Sequence, residues 1–362
     1  MKASAQHYVQ RLVAGHELVE RALYLDIDGW VLRLRSNSSA LLDRLANYFE
    51  HVLGAPATPQ VDMLAIECDS PALDVEFVEW RREAGKRGRK DSYVDLDDAR
   101  LLRKVRTGMV FVQGSSPCVA AGECLLNDNQ VINFVNAQYM NHLQQQGALI
   151  CHAAGIVRDG RAIGIAGFSG GGKSTLMLHL LNEAGNRYLT NDRLFVRATG
   201  DGAEAIGVPK LPRVNPGTIL YNRTLQDLIP DADRDRLRAM PTGELWELEQ
   251  KYDVPVRHLF GSAPVVGAVP LAAFVILDWH RDPAAPATLH PVDLDAEPRL
   301  LEALMKARGP FYRDVGGRFS ADTERPDPQD YRQLLAGTPV YVAHGGVDFA
   351  AVIEPINELL ER

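Results

Sequence analysis

The chain has 362 residues, 46% hydrophobic and 24% charged, enough for about two ordinary globular cores. A formal net charge of −8 argues against a surface given over to nucleic acid, and no run approaches the roughly 18 apolar residues of a membrane span. Cys68, Cys118, Cys124 and Cys151 lack both C-x-x-C spacing and the density of a disulfide framework, and residues 1–20 lack an export signal's apolar stretch, so a cytoplasmic protein is expected.

In chain order, apolar positions at Val9, Leu12, Val13, Leu18, Val19 and Leu23 predict a helix over residues 6–23, weakened by Gly15. Alternation on either side of Asp28-Gly29 predicts a tight β-hairpin, because both turn positions tolerate positive φ. Ser38 or Ser39 can cap a helix with Leu41, Leu42, Leu45, Tyr48 and Phe49 on its apolar face. Residues 61–68, 73–80, 92–96, 101–106, 109–113 and 118–123 read as strands, which makes an N-terminal mixed α/β (α+β) domain with an antiparallel sheet over 1–130, suited to substrate or partner recognition. The basic run at 81–90 reads as a solvated hairpin tip rather than a docking patch, having two glycines and no interleaved aromatics. A helix over 133–146, closed by Gly147, opens a second domain over 131–362.

That second domain is organised around Gly167-Phe168-Ser169-Gly170-Gly171-Gly172-Lys173-Ser174, which fits G-x-x-x-x-G-K-[ST] between an apolar strand at 162–166 and an apolar helix. Glycines allow successive N–H groups to turn inward toward phosphate oxygens, Lys173 adds a point charge, and Ser174 can place its hydroxyl on Mg²⁺, with Thr175 as the neighbouring alternative. ATP and Mg²⁺ are the expected ligands. Residues 148–152 form a further strand candidate, and the short turn Arg158-Asp159-Gly160 can join strands only in antiparallel fashion, so the nucleotide sheet should be mixed. Asp192 and Asp278 each end a strand and are candidates for the metal carboxylate, with Asp278 following the stronger apolar run. Arg213, in Lys210-Leu211-Pro212-Arg213, can neutralise charge on a transferring phosphoryl group, with Lys210 as second choice. The charged stretch 231–262 can dock a partner or cover the site, and Lys306 to Pro310 reads as a substrate-facing loop or a helix end.

Over residues 130–280 these features, in order, resemble the HPr kinase/phosphorylases and related kinases of the phosphoenolpyruvate carboxykinase-like fold. The features are Leu149-Ile150-Cys151-His152-Ala153, a short hairpin, the glycine loop, and Leu189-Thr190-Asn191-Asp192, with Ile276-Leu277-Asp278-Trp279 similar to a later family strand. The chain is more similar still to the type called HPr kinase-related kinase B. The resemblance implies a P-loop kinase domain, moves the metal role to Asp192, and makes His152 the residue that helps activate the acceptor hydroxyl. It also implies a protein serine or a small molecule as acceptor and is compatible with a homo-oligomer. Where the family commonly has Asp-Asp, this chain has Asn191-Asp192, and an amide cannot act as a base. His152 then works alone, or Asp159 or Asp278 substitutes, or transfer has been lost. An ATP-dependent kinase is the resulting expectation; a nucleotide-gated regulatory protein and a plain NTPase are the alternatives.

Overall fold

Asp28 and Gly29 hold φ values of 54° and 82° and close a two-residue turn between β1 (Leu23–Ile27) and β2 (Trp30–Ser36), whose residues pair from Ile27–Trp30 to Leu23–Leu34. The protein is described from a computed structural model covering residues 4–81, 88–248, 250–280 and 285–361. From the basic run, Arg82, Lys86 and Arg87 lie outside the described residues, while Arg89 pairs with Glu79 at 3.0 Å. Among the described residues no helix is long and apolar enough to cross a membrane.

Contacts group the chain into two units, Met1–Gly147 with Ala307–Arg325, and Ala148–Lys306 with Pro326–Arg362. The first unit holds an eight-stranded sheet formed by β1, β2, β3 (Val61–Glu67), β4 (Val78–Glu79), β5 (Asp91–Asp95), β6 (Arg100–Lys104), β7 (Val110–Gln113) and β8 (Cys118–Gly122), in the order β1-β2-β3-β8-β7-β6-β5-β4. The sheet expected to be antiparallel is so from β8 to β4 and at the β1–β2 hairpin, but β2, β3 and β8 run parallel. The connection from β2 to β3 carries α2 (Ser39–Tyr48), long enough for a parallel crossover. Ser38 Oγ accepts the Leu41 N–H at 3.2 Å, and Leu41, Leu42, Leu45 and Phe49 are buried. α1 (Ala5–Val13) stops ten residues short of the expected end, because Ala14 leaves the helix and Gly15 turns with φ 79°. The 73–80 strand shrinks to the two residues of β4, with Val75 and Phe77 packing on the core from irregular backbone.

α3 (Asp128–Gln145) is the helix expected to open the second domain, yet it belongs to the first unit. The reason is packing: Phe134 lies edge-on to Phe111 of β7 at 5.0 Å, and Phe311 joins both. Buried amides fasten residues 307–325 to the same unit. Gln113 Nε2 and Asn141 Nδ2 donate to Phe311 O at 3.1 and 2.9 Å, and Asn141 Oδ1 accepts the Arg313 N–H at 2.9 Å.

Arg100, 1% exposed, makes a bidentate pair with Asp95 at 2.6 and 3.0 Å and donates to Pro310 O and Ser320 O at 3.1 and 2.9 Å. Its guanidinium also lies over Tyr93 and Phe319 at 4.5 and 4.8 Å. Arg100→Ala would strip partners from Asp95 and two carbonyls at once. We expect a loss of about 3–5 kcal/mol in urea unfolding of the chain, read from the shift in midpoint. A loss below about 1 kcal/mol would mean that this arginine does not anchor the segment.

The second unit's main sheet contains β9 (Leu149–Cys151), β10 (Ala153–Arg158), β11 (Arg161–Gly167), β12 (Arg187–Thr190), β13 (Leu194–Thr199) and β14 (Gly202–Ile206). β15 (Arg213–Val214) and β16 (Tyr252–Asp253) form a small separate ladder, and β17 (Ala268–His280), β18 (Thr288–Pro291) and β19 (Val340–Gly346) complete the main sheet. Its order is β12-β10-β11-β17-β14-β13-β9, with β19 on β17 and β18 on β19. The sheet is mixed, as expected: β11–β17 and β17–β19 are parallel, and β10–β11 is an antiparallel hairpin closed by Asp159 and Gly160 at φ 48° and 77°. Ile163, Ile165, Val275 and Leu277 pack on one face with α4 (Lys173–Leu180) and α11 (Phe349–Glu361). Ala162, Ala166, Phe274 and Ile276 pack on the other with residues 300–304 and Tyr331. Burial on both faces explains the near-continuous apolar run of β17.

Three of the cysteines, Cys118, Cys124 and Cys151, are buried and Cys68 is half-buried; all four are free thiols. Burial pushes the Cys151 thiol up to about 12, so it stays protonated and inert.

Candidate active site

β11 delivers the chain to Gly167, Gly170 and Gly172 turn at φ 78° and 86°, and α4 starts at Lys173. Gly172 is required twice over. Its φ suits glycine, and a Cβ there would lie 2.9 Å from the Phe349 ring. No side chain caps the start of α4, so its first N–H groups remain available to an anion. Two contacts set the loop's shape: Gly171 N–H donates to Phe168 O at 3.0 Å, and Trp279 Nε1–H donates to Gly171 O at 3.0 Å. Lys173 Nζ folds back onto Gly167 O at 2.8 Å and Phe168 O at 3.4 Å. Burial lowers this ammonium to about 8, with Lys306 adding to the fall and Asp192 opposing it.

β12 ends beside the loop, and the turn after it carries the acid. Asp192 is held at φ 68°, and Thr190 Oγ1 donates to Arg193 O at 2.9 Å across the turn. His152 sits where the chain changes partner, between β9, which pairs with β13, and β10, which pairs with β11. Its N–H donates to Leu304 O at 2.7 Å, and its Nε2 is 3.2 Å from Asp192 Oδ1. Lys306 Nζ lies 3.3 Å from both Asp192 oxygens, and Arg193 Nε lies 3.9 Å from Oδ2. Burial alone would raise the Asp192 carboxyl, but the His152 hydrogen bond and the charges of Lys306 and Arg193 outweigh it and hold the group far below the usual carboxylate range. For His152 the Asp192 hydrogen bond pulls upward, but burial with Lys306 and Lys173 wins and leaves it below its ordinary value. The pair is therefore a neutral imidazole against a carboxylate, able to take up one proton.

The structure brings Lys173, Ser174, Asp192 and His152 into one region, with a redistribution. Ser174 Oγ donates to Asn191 Oδ1 at 2.9 Å, so the serine meets the amide, and the carboxylate next to it meets His152. Thr175 turns inward, its hydroxyl 3.0 Å from Thr218 Oγ1, and so is not placed as an alternative to Ser174. Asp278 pairs with Arg299, whose guanidinium lies 5.1 Å from the Phe168 ring centre. Asp159 sits in the turn at the far end of the β10–β11 hairpin, at least about 20 Å from Gly167 at 3.4 Å per residue along β11, which removes it as a substitute acid.

No protein-family model matches the chain, and no curated protein matches it. Among solved structures, it is similar to the Hpr(Ser) kinase/phosphatase from Coxiella burnetii at 16% identity, covering 59% of this chain and 93% of that one with a TM-score of 0.27. That is a likeness of fold at most, and it carries no argument about activity.

Arg213 Nε lies 3.2 Å from Asp253 Oδ1 across the β15–β16 ladder. Arg193 is a site residue that sequence reasoning did not pick out, and Lys306, read there as the start of a substrate-facing loop or a helix end, was not linked to Asp192. Arg193 offered only its adjacency to Asp192, and Lys306 is 114 residues from the acid it meets.

Proposed function

We propose that this chain is an ATP-dependent, Mg²⁺-requiring kinase that transfers the γ-phosphoryl group to a hydroxyl, on a protein serine or a small molecule. The observation that carries this reading is the His152–Asp192 pair beside an uncapped helix N-terminus, with Lys173 sensing the same carboxylate.

Oxygen donors fit Mg²⁺. Ser174 Oγ and Asn191 Oδ1 lie 2.9 Å apart, and Asp192 adds a carboxylate from the next residue. When bound, Mg²⁺ would supply neutralisation of negative charge on the nucleotide phosphates. Ser174, Asn191 and Asp192 would hold it.

The loop N–H groups and Lys173 hold the phosphates in line with the acceptor. With Nε2–H assigned as the donor to Asp192, the His152 lone pair is on Nδ1, which takes the acceptor's proton. The acceptor oxygen bonds to the γ-phosphorus, the bond from that phosphorus to the β,γ-bridging oxygen breaks, and ADP leaves with the electron pair. His152→Ala should lower transfer by about 10²-fold while ATP binding measured by calorimetry survives. Unchanged turnover would remove His152 from the mechanism.

A second reading is favoured by one contact, the amide of Asn191 on Ser174 where a second carboxylate could stand. On that reading the chain is a nucleotide-gated regulatory protein or a plain NTPase. Phosphate release that needs no acceptor would identify the NTPase, and tight ATP binding without turnover the regulator.

A further inference from the structure

Three flat side chains from three elements meet beside the phosphate loop. Trp279 stands near the end of β17, Phe349 opens α11, and His179 lies on α4 about two turns after Gly172. Trp279 and Phe349 are edge-on, with ring centres 5.1 Å apart and planes at 86°, and His179 stacks on Phe349 at 5.5 Å and 25°. Both larger rings reach the loop itself. A Cβ at Gly172 would lie 2.9 Å from the Phe349 ring and 3.8 Å from that of Trp279, and the Trp279 indole N–H is spent on Gly171 O at 3.0 Å. Phe349 and Trp279 pack on the rim of the second unit's core, and all three side chains are half-buried rather than sealed inside it. Burial holds His179 below its ordinary pKa, so near neutral pH it is an uncharged ring.

The sheet order decides which part of a nucleotide reaches these rings. β11, the strand that feeds the loop, has β10 and β12 on one side and β17 and β19 on the other. His152 precedes β10 and Asp192 follows β12, so the pair assigned to the acceptor stands on the first side, 3.2 Å from nitrogen to oxygen. Trp279 ends the strand on the second side. A triphosphate held by the loop with its γ-phosphoryl toward His152 leaves its sugar and base to run the opposite way, past Gly172 and onto the rings. An apolar, uncharged wall offers nothing to a phosphate. A nucleobase is flat and uncharged, and every base has a π-face that stacks on such rings.

We propose that Phe349, Trp279 and His179 form the nucleobase subsite, a stacking wall for the base of the nucleotide whose phosphates the loop holds. The inference rests on the nucleotide of the kinase reading and adds the residues that recognise its base. Phe349 touches the loop and both other rings, so it is the central contact; Trp279 serves the base and braces Gly171 at once.

The test compares two ligands that share sugar and phosphates and differ in the base, the β,γ-imido analogues of ATP and of ribose 5′-triphosphate. Each is titrated by calorimetry into the full chain with Mg²⁺. The unaltered chain should bind the ATP analogue about tenfold or more tightly than the baseless one, the scale of one base stacked on aromatic side chains. Phe349→Leu should weaken the ATP analogue about tenfold and His179→Leu at least about threefold, while affinity for the baseless analogue moves by less than about twofold; Phe349→Tyr, which keeps the ring, should retain the preference. Trp279 stays unaltered because it also holds the loop. Thermal melts check that the variants are folded, and if Phe349→Leu is not, His179→Leu decides. Equal loss of both analogues in the leucine variants would make the rings supports of the loop and overturn the inference, as would equal affinity of the unaltered chain for the two. If the unaltered chain binds neither analogue, the kinase reading falls and this inference with it, a result distinct from triphosphate binding that ignores the base.

Discussion

Lys173→Ala should lower kcat/KM for ATP by at least about 10³-fold and abolish labelling of any acceptor from γ-labelled ATP. The ammonium now rests on Gly167 O and Phe168 O, half-buried and held down to about 8. A polyphosphate offers it better partners than two carbonyls, and its negative charge opposes the burial that holds the ammonium down. Lys306, the cation that acts on the same carboxylate, is engaged on Asp192 and does not stand in for it. The change should leave folding nearly intact, since a half-buried lysine with two carbonyl contacts contributes little to the core. Steady-state kinetics and ATP calorimetry on the variant provide the check, and a loss below about tenfold would detach the loop from nucleotide binding.

Asp192→Ala should cost more than the loss of His152, about 10³–10⁴-fold in Mg²⁺-dependent turnover, because one carboxylate has two duties. It lies against His152 Nε2, and on the proposed kinase reading it would be the acidic member of the set that holds the metal with Ser174 and Asn191. Its removal also leaves Lys306 and Arg193 without the negative charge between them. Asp278→Ala is the matched control. Asp278 is occupied by Arg299 and stands one residue beyond Leu277, the partner of Gly167, so turnover should fall by no more than about tenfold. Turnover assays of both variants across a Mg²⁺ titration measure the order, and the reverse order would give the metal to Asp278.

The legible parts of the chain were those governed by local rules. Asp28-Gly29 and Asp159-Gly160 each supply the positive φ that a two-residue turn needs, so both hairpins could be read directly. Ser38 announced α2 because a hydroxyl cap acts within one turn. The glycine loop was legible for the same reason, since φ at Gly170 and Gly172 is a local demand. What escaped depends on distant partners. Nothing near residue 306 signals Asp192, and nothing near α3 says that Phe134 will pack on Phe111 rather than on the second sheet. The strand expected at 148–152 stops at Cys151 because β9 pairs with β13 and β10 with β11, a change of partner that leaves His152 at the break. The loop motif gave Ser174 a metal role and the family pattern gave one to Asp192, but neither tells that Asn191 Oδ1 accepts from Ser174 Oγ beside the turn held at Asp192.

One measurement bears most directly on the central claim. Purified chain with Mg²⁺ and γ-labelled ATP, incubated with a lysate and with its small-molecule pool, should transfer label to an acceptor, and the labelled product should vanish with Lys173→Ala and fall about 10²-fold with His152→Ala. Stoichiometric binding of Mg²⁺ and ATP with no labelled acceptor in either fraction would contradict the kinase reading and leave a nucleotide-gated binding protein.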